Sequence, residues 1–325
     1  MNRNKLLLVF IVNLILFFIV YSAIEYFVYT SECSVYKKKN SEASLKIYPM
    51  PKFSLINPMD NTSIDYFKTE ELLQGSRKPV GLQFDKKPVV LFGCSYTYGE
   101  NLKSNEIFSY KLSKYAKCPV YNYGFNAFGI QHMMYILGLK NFKKHIKSEP
   151  AYVVYTFIPD HIRRLYLKVY GERNFGPYLR YYLDGEGNLQ EYPRFYAPLS
   201  YSYIGKKILM NSKDLKMCDV QNGNNDDFIF MKKHFESSKN QLEKMYPNTK
   251  FVILVYEDDN WYPNSWYLNT KRWDELEKEG FIVIKTSELV GRRFNKPEDF
   301  TYDSFHPSAK AWDLIVPKLA KRLDL

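Results

Sequence analysis

From residue 86 onward, short apolar runs at 88–92, 119–123, 151–158, 250–256 and 280–285 are separated by longer stretches with helical spacing. The runs are read as five strands, each an almost continuous apolar block of the kind that is buried on both faces of a sheet. Stretches near 104–117, 129–146, 231–246, 269–279 and 308–323 carry apolar residues at helical intervals and predict the connecting helices. Strands alternating with helices predict a five-stranded parallel sheet covered on both faces, a three-layer α/β/α fold with right-handed crossovers. Ligands in that architecture bind beyond the carboxyl ends of the strands. The residues just after each run are therefore where chemistry is sought.

Two regions depart from this alternation. Residues 29–85 are polar, contain Pro51, Pro58 and Pro79, and show no clear helical period; they read as a stalk and an amino-terminal strap lying on the domain at 86–325. Residues 165–230 interrupt the third and fourth strand units. Within them, Tyr178 to Leu189 predicts a hairpin with Asp184-Gly185 in its turn, and Asn222-Gly223-Asn224-Asn225 predicts an exposed loop. An insertion at this point overhangs the carboxyl edge of the sheet. It is a candidate substrate lid, and a decorative surface insertion is the equally open alternative.

Residues 1–28 have a different pattern. A short basic head, with Arg3 and Lys5, precedes Leu6 to Ile24, which is almost continuously apolar for 19 residues. At about 1.5 Å per residue such a helix is about 28 Å long, enough to cross the hydrocarbon core. Cleaved leaders usually have a shorter apolar region, and Tyr21 makes a poor cleavage signal before Ala23. The expectation is a single uncleaved signal anchor, with the carboxyl-terminal body outside the cytoplasm. Lys37, Lys38 and Lys39 on the far side oppose that orientation.

Composition adds limits to this picture. The 325 residues are 46% hydrophobic and 25% charged, values of a globular chain rather than a disordered one. A net charge of +11 arises from scattered lysine and arginine pairs with no nucleic-acid motif, which suits an anionic lipid or polysaccharide neighbour better than a DNA groove. Cys33, Cys94, Cys118 and Cys218 have no metal-ligand spacing. Cys94 and Cys118 fall at the ends of neighbouring strands and read as packing residues. No metal or organic cofactor is implied.

The chemistry concentrates at two places. Val89 to Phe92 stops at Gly93, and Cys94-Ser95-Tyr96-Thr97-Tyr98-Gly99 follows before a helix, so Ser95 is presented at the carboxyl edge of the sheet. Near the other end, Asp303-Ser304-Phe305-His306-Pro307-Ser308 places a carboxylate three residues before a histidine, with Ser308 as cap of the last helix. A serine hydroxyl is a poor nucleophile at neutral pH until an imidazole takes its proton, and a carboxylate can hold that imidazole in the right tautomer. Asp160, His161, Arg163 and Arg164 crowd the end of the third strand, where they suit either an anionic substrate or an ion-pair cluster that anchors the insertion.

With these residues the chain resembles the SGNH hydrolases, the GDSL esterase and lipase superfamily, over about residues 86–325. Gly93-Cys94-Ser95-Tyr96-Thr97-Tyr98-Gly99 resembles the family's first block, with Cys94 where Asp is commoner, and Asp303, His306 and Pro307 match its last block. Gly124 in Val120-Tyr121-Asn122-Tyr123-Gly124 is the best match to the oxyanion-hole glycine. Of the family's Gly-x-Asn-Asp block only Asp160 survives in Phe157-Ile158-Pro159-Asp160, so its oxyanion-hole asparagine is missing. The resemblance implies a catalytic Ser95, Asp303 and His306. It also implies an oxyanion hole from the N–H groups of Ser95 and Gly124, with Asn126 as the nearest asparagine able to replace the lost donor. The expected reaction is removal of an acyl group, acetyl above all, from an extracytoplasmic glycan or related ester, with Asp160 and Arg163 at the substrate. An O-acyltransferase acting on a cell-surface polysaccharide, or an inactive glycan-binding scaffold, are the competing readings.

Overall fold

The structure, a computed structural model, describes residues 73–126, 128–146, 148–165, 181–183, 186–191, 225–261 and 265–325, with short pieces at 55–56 and 63–64 and helical positions at 13, 17 and 20. Two compact units are defined. Met1–Lys52 with Pro193–Leu215 is one, and Phe53–Tyr192 with Lys216–Leu325 is the other. The second holds the sheet and both clusters of site residues. Among the described residues no helix is long and apolar enough to cross a membrane. The expected anchor at 6–24 lies outside them apart from positions 13, 17 and 20.

The strands are β1 (Arg77–Val80), β2 (Val89–Gly93), β3 (Val120–Gly124), β4 (Tyr152–Phe157), β5 (Lys250–Val255) and β6 (Ile282–Lys285). They form one six-stranded sheet in the order β6-β5-β4-β2-β3-β1. The five strands from β2 to β6 are parallel to one another, in the positions expected from their apolar runs. β1 is an added edge strand, antiparallel to β3, so the sheet is mixed and not purely parallel. Arg77-Lys78-Pro79-Val80 carries almost no strand signal because only one side pairs and the register is irregular there. A proline is tolerated in such an edge strand, whose outer N–H groups need no ladder partner.

The principal helices are α1 (Ser95–Tyr98), α2 (Phe108–Ala116), α3 (Ile130–Gly138), α4 (Asp160–Leu165), α5 (Asn225–Met245), α6 (Trp273–Lys278) and α7 (Ala309–Arg322). Successive strand residues point to opposite faces, and each face builds its own core. Val90, Phe92, Val153, Tyr155, Ile253 and Val255 pack with residues of α3, α5 and α6. Val89, Leu91, Val154, Val252 and Leu254 pack with α2 and α7, where Phe108 and Trp312 stack with centroids 4.5 Å apart. The three-layer arrangement read from the alternation is therefore present.

The described part of the insertion is a hairpin. Tyr181–Leu183 pairs antiparallel with Leu189–Glu191, and Tyr181 meets His234 of α5 edge to face at 5.4 Å. The expected turn residues Asp184 and Gly185, and the loop at 222–224, lie outside the described residues.

Candidate active site

β2 ends at Gly93, whose φ of 154° and crowded surroundings admit no side chain; a Cβ there would lie 2.2 Å from Thr97 Oγ1. The chain turns at Cys94 and starts α1 at Ser95, with Tyr98 N–H donating to Cys94 O at 2.9 Å. Ser95 is therefore held at the carboxyl edge of a central strand, as its position after the apolar run predicts, and is 7% exposed. Among the described residues its hydroxyl makes no hydrogen bond. Arg77 of β1 fastens the far end of α1. It donates to Tyr98 O at 3.3 Å and Gly99 O at 3.4 Å, with its guanidinium over the Tyr98 ring. A cation on the last carbonyls of a helix offsets their partial negative charge.

The second half of the site is a compact loop before α7. Thr301 N–H donates to His306 O, and Ser308 N–H donates to Asp299 O, each at 2.8 Å, which folds residues 299–308 back on themselves. Ser308 then caps α7 by accepting from Ala311 N–H. Inside the loop, His306 Nδ1 lies 2.6 Å from Asp303 Oδ2. With a carboxylate as partner, Nδ1 is the protonated nitrogen and Nε2 carries the free lone pair. Burial alone would raise the Asp303 carboxyl. The His306 contact, the N–H of His306 and the Thr301 hydroxyl outweigh it and hold the group well below the usual carboxylate range. Asp303 is thus a fixed acceptor that keeps the imidazole oriented.

Ser95 and His306 meet through Tyr96. The Tyr96 ring lies edge to face with the His306 ring at 5.6 Å, and its hydroxyl donates to Phe305 O at 2.9 Å. The residue after the nucleophile candidate thus touches the residue before the base candidate and the base itself. Among the described residues no hydrogen bond joins Ser95 to His306. A second bridge crosses the same gap: Asn101, just past α1, donates Nδ2–H to Asp303 Oδ2 and accepts from the Tyr302 hydroxyl at 2.9 Å.

Two of the groups expected in the oxyanion hole are engaged within the protein. Gly124 N–H donates to Asn122 Oδ1 at 2.8 Å, so it is not offered to a substrate. The glycine is required for another reason. A Cβ at Gly124 would lie 2.5 Å from Tyr98 N and 2.6 Å from Thr97 Cβ, so its absence lets α1 rest on β3. Asn126 directs its amide to the Glu100 carboxylate, which ties the loop after β3 to the segment after α1. Ser95 N–H belongs to the first turn of α1, where backbone N–H groups have no intrahelical partner.

Solved structures to which the chain is similar include lipolytic and carbohydrate esterases. A G-D-S-L family lipolytic protein from Veillonella parvula is similar at 10% identity and a TM-score of 0.40, over 73% of this chain and 97% of that one. An acetyl xylan esterase from Butyrivibrio proteoclasticus is similar at 12% identity and a TM-score of 0.40, over 73% of this chain and 63% of that one. A family two carbohydrate esterase from Clostridium thermocellum, solved with cellohexaose, is similar at 9% identity and a TM-score of 0.41, over 74% and 64% of the two chains. No protein-family model and no curated protein sequence matches the chain. At such values the likeness assigns no residue, and the roles rest on the geometry above.

The cluster after β4 is built inward. Asp160 is wholly buried, and its Oδ2 accepts from Arg164 Nε at 2.9 Å and lies 2.8 Å from Nη2. Arg164 also donates Nη1–H to Phe128 O at 2.7 Å, while Gln131 donates to Arg164 O. His161 bonds the Tyr155 hydroxyl at 2.8 Å, and burial together with the Arg164 charge holds its imidazole well below the usual histidine range. This is the ion-pair arrangement that the sequence left open, with Asp160 turned away from solvent instead of toward a substrate. Arg163 lies in α4, and its side chain is outside the described set.

Three residues at the site escape a sequence reading. Asn101 and Tyr96 sit beside the Ser95 block, yet their partners are about 200 positions away. Asp258 follows the β5 run at the carboxyl edge, the place where functional acids are sought, and is wholly buried. Its position was the available signal.

Proposed function

We propose that this chain is a serine esterase of the SGNH type that removes an acyl group, acetyl above all, from an extracytoplasmic glycan or related ester. The observation that carries the reading is the Asp303–His306 pair at 2.6 Å, packed against the residue that follows Ser95 at the carboxyl edge of the sheet. His306 Nε2 takes the Ser95 hydroxyl proton as Oγ attacks the acyl carbon, and returns it to the departing alcohol. The acyl-enzyme is then cleaved by water, which gives its own proton to the same nitrogen, and the proton passes back to Ser95 as the acid leaves. Asp303 stays ionised and stabilises the imidazolium between these steps. Ser95 N–H serves as one oxyanion donor.

A fluorophosphonate probe should label the full-length chain, and labelling should be lost in Ser95→Ala. Equal labelling of that variant would sink the assignment. The engaged Gly124 N–H favours a non-catalytic scaffold as the second reading, and a folded wild type that takes no probe would support it. Transfer to a sugar instead of water would appear by mass spectrometry as most of the consumed acyl groups on an added unacetylated glycan.

The apolar span from Leu6 to Ile24 supports membrane attachment with the sheet domain outside the cytoplasm. A carboxyl-terminal alkaline phosphatase fusion should then be active, and an inactive one would show that Lys37 to Lys39 set the orientation.

A further inference from the structure

Asp258 lies beyond the end of β5 with no exposed surface. Its Oδ1 accepts from Asn260 N–H at 2.7 Å and Trp261 N–H at 3.1 Å, closing a tight turn on the carboxylate. That turn aims two side-chain donors at one acceptor. Asn260 Nδ2–H and Trp261 Nε1–H both reach Ser304 O, at 3.0 and 2.6 Å. Ser304 sits between Asp303 and His306 with φ of 58°, a left-handed conformation that is strained for a non-glycine residue. The two donors help to hold it there.

The other carboxylate oxygen faces the nucleophile segment. Asp258 Oδ2 is 3.4 Å from the Tyr96 hydroxyl, which lies 2.9 Å from Phe305 O. A phenol has one proton to give. When the carboxyl is protonated, it donates to Tyr96, and Tyr96 donates to Phe305 O. When the carboxyl is ionised, it competes for the phenol proton, and the bond from Tyr96 to the Phe305 carbonyl is weakened. Asp258 therefore reaches, through its neighbours, the carbonyls of both residues that lie between Asp303 and His306.

We infer that Asp258 and Tyr96 are positioning residues for His306, Asp258 acting on the Ser304 carbonyl through the 258–261 turn and on the Phe305 carbonyl through Tyr96. The inference rests on the esterase reading for its catalytic meaning. Burial pushes the Asp258 carboxyl up to about 6, against the lowering effect of its bonds from Trp261, Asn260 and Tyr96. The groups around it are Tyr96 of α1, Tyr256 and Glu257 before it, Asp259 after it, and His306 and Asp303 on the loop it supports. Arg293 is engaged by Glu257 and Asp259, and Arg292 by Asp299. None of these cations bonds Asp258 among the described residues. The two states of the relay thus exchange at about pH 6.

The test follows the loop without using turnover. The full-length chain, labelled with 15N at the indole nitrogens of its 4 tryptophans, should show one N–H signal that is lost in Trp261→Phe. In the wild type that signal should move with a midpoint near pH 6, where burial places the Asp258 carboxyl it reports. Asp258→Asn keeps an acceptor for the turn and a permanent donor to Tyr96, so it should abolish the midpoint and hold the signal at its acid position. A midpoint that persists in Asp258→Asn but vanishes in His306→Gln, or a wild-type signal with no midpoint, would overturn the inference. In aryl-acetate turnover, Asp258→Leu and Tyr96→Phe should lower kcat about tenfold or more with KM little changed, since small misplacements of a catalytic group are costly. Asp258→Asn should restore kcat to within about twofold of wild type. Equal losses in the Asn and Leu variants would refute the positioning role. Absence of turnover in the wild type with the NMR midpoint intact would instead refute the esterase reading and leave the Asp258 relay standing.

Discussion

Asp160→Ala should cost the protein stability before it costs any recognition of substrate. The Asp160 carboxylate has no exposed surface, and its partner Arg164 is 7% exposed. Surface ion pairs are worth about 0.2–1 kcal/mol, but removing one partner of a buried pair costs about 3–5 kcal/mol because a buried charge loses its counter-ion. The burial of both side chains puts this pair in the second class. Arg164 would keep its bond to Phe128 O, a neutral acceptor in place of a carboxylate. Asp160→Asn keeps the shape and one acceptor, so its loss should be nearer about 1.5–3 kcal/mol, the range for a hydrogen bond to a charged group. Urea denaturation measures this directly. With a slope of about 3 kcal/mol per molar, the alanine variant should shift the midpoint down by about 1 M or more. The reasoning fails if Asp160→Ala unfolds at the wild-type midpoint. If that variant also showed a raised KM for an acylated ester, Asp160 would be a solvent-facing substrate ligand after all.

Gly124→Ala should move α1, because the new methyl would meet the backbone at Tyr98 N as well as Thr97 Cβ. A stability loss of about 1–3 kcal/mol and slower fluorophosphonate labelling of Ser95 are expected, and a wild-type labelling rate would show that α1 is not seated by this contact. Asp303→Asn tests the sign of a pH effect. The folded-state carboxyl is held below its ordinary 3.8, so its contribution to stability is present above that value and lost as pH falls toward the folded value. The margin by which the wild type exceeds the variant should shrink as pH falls below 3.8 toward the folded value. A margin that stayed unchanged or widened below pH 3.8 would contradict this.

The parts of the protein legible in its sequence are those whose cause is local. A strand buried on both faces needs a continuous apolar run, so β2 to β6 announce themselves within a few residues. Asp303 and His306 are three positions apart in one loop, and their pairing is implied by that spacing. The abrupt end of the β2 run at Gly93 likewise places Ser95 at the sheet edge. Each of these features depends only on neighbouring residues.

The tertiary structure decided what depends on distant partners. β1 has no apolar run, and it is a strand only because Asn122 and Val120 present a free edge to it. Gly124 carries the expected residue type for an oxyanion donor, yet the side chain of Asn122 takes its N–H and α1 takes the space its side chain would fill. Asp160 suits a ligand by composition, and the burial of α4 turned it into the counter-ion of Arg164. Tyr96 and Asp258 are 162 positions apart and meet only when β2 and β5 bring their carboxyl ends to one edge. A residue type and its place in a run are local properties. Whether a polar group is spent on the protein or left for a substrate is settled by which distant donor or acceptor arrives beside it.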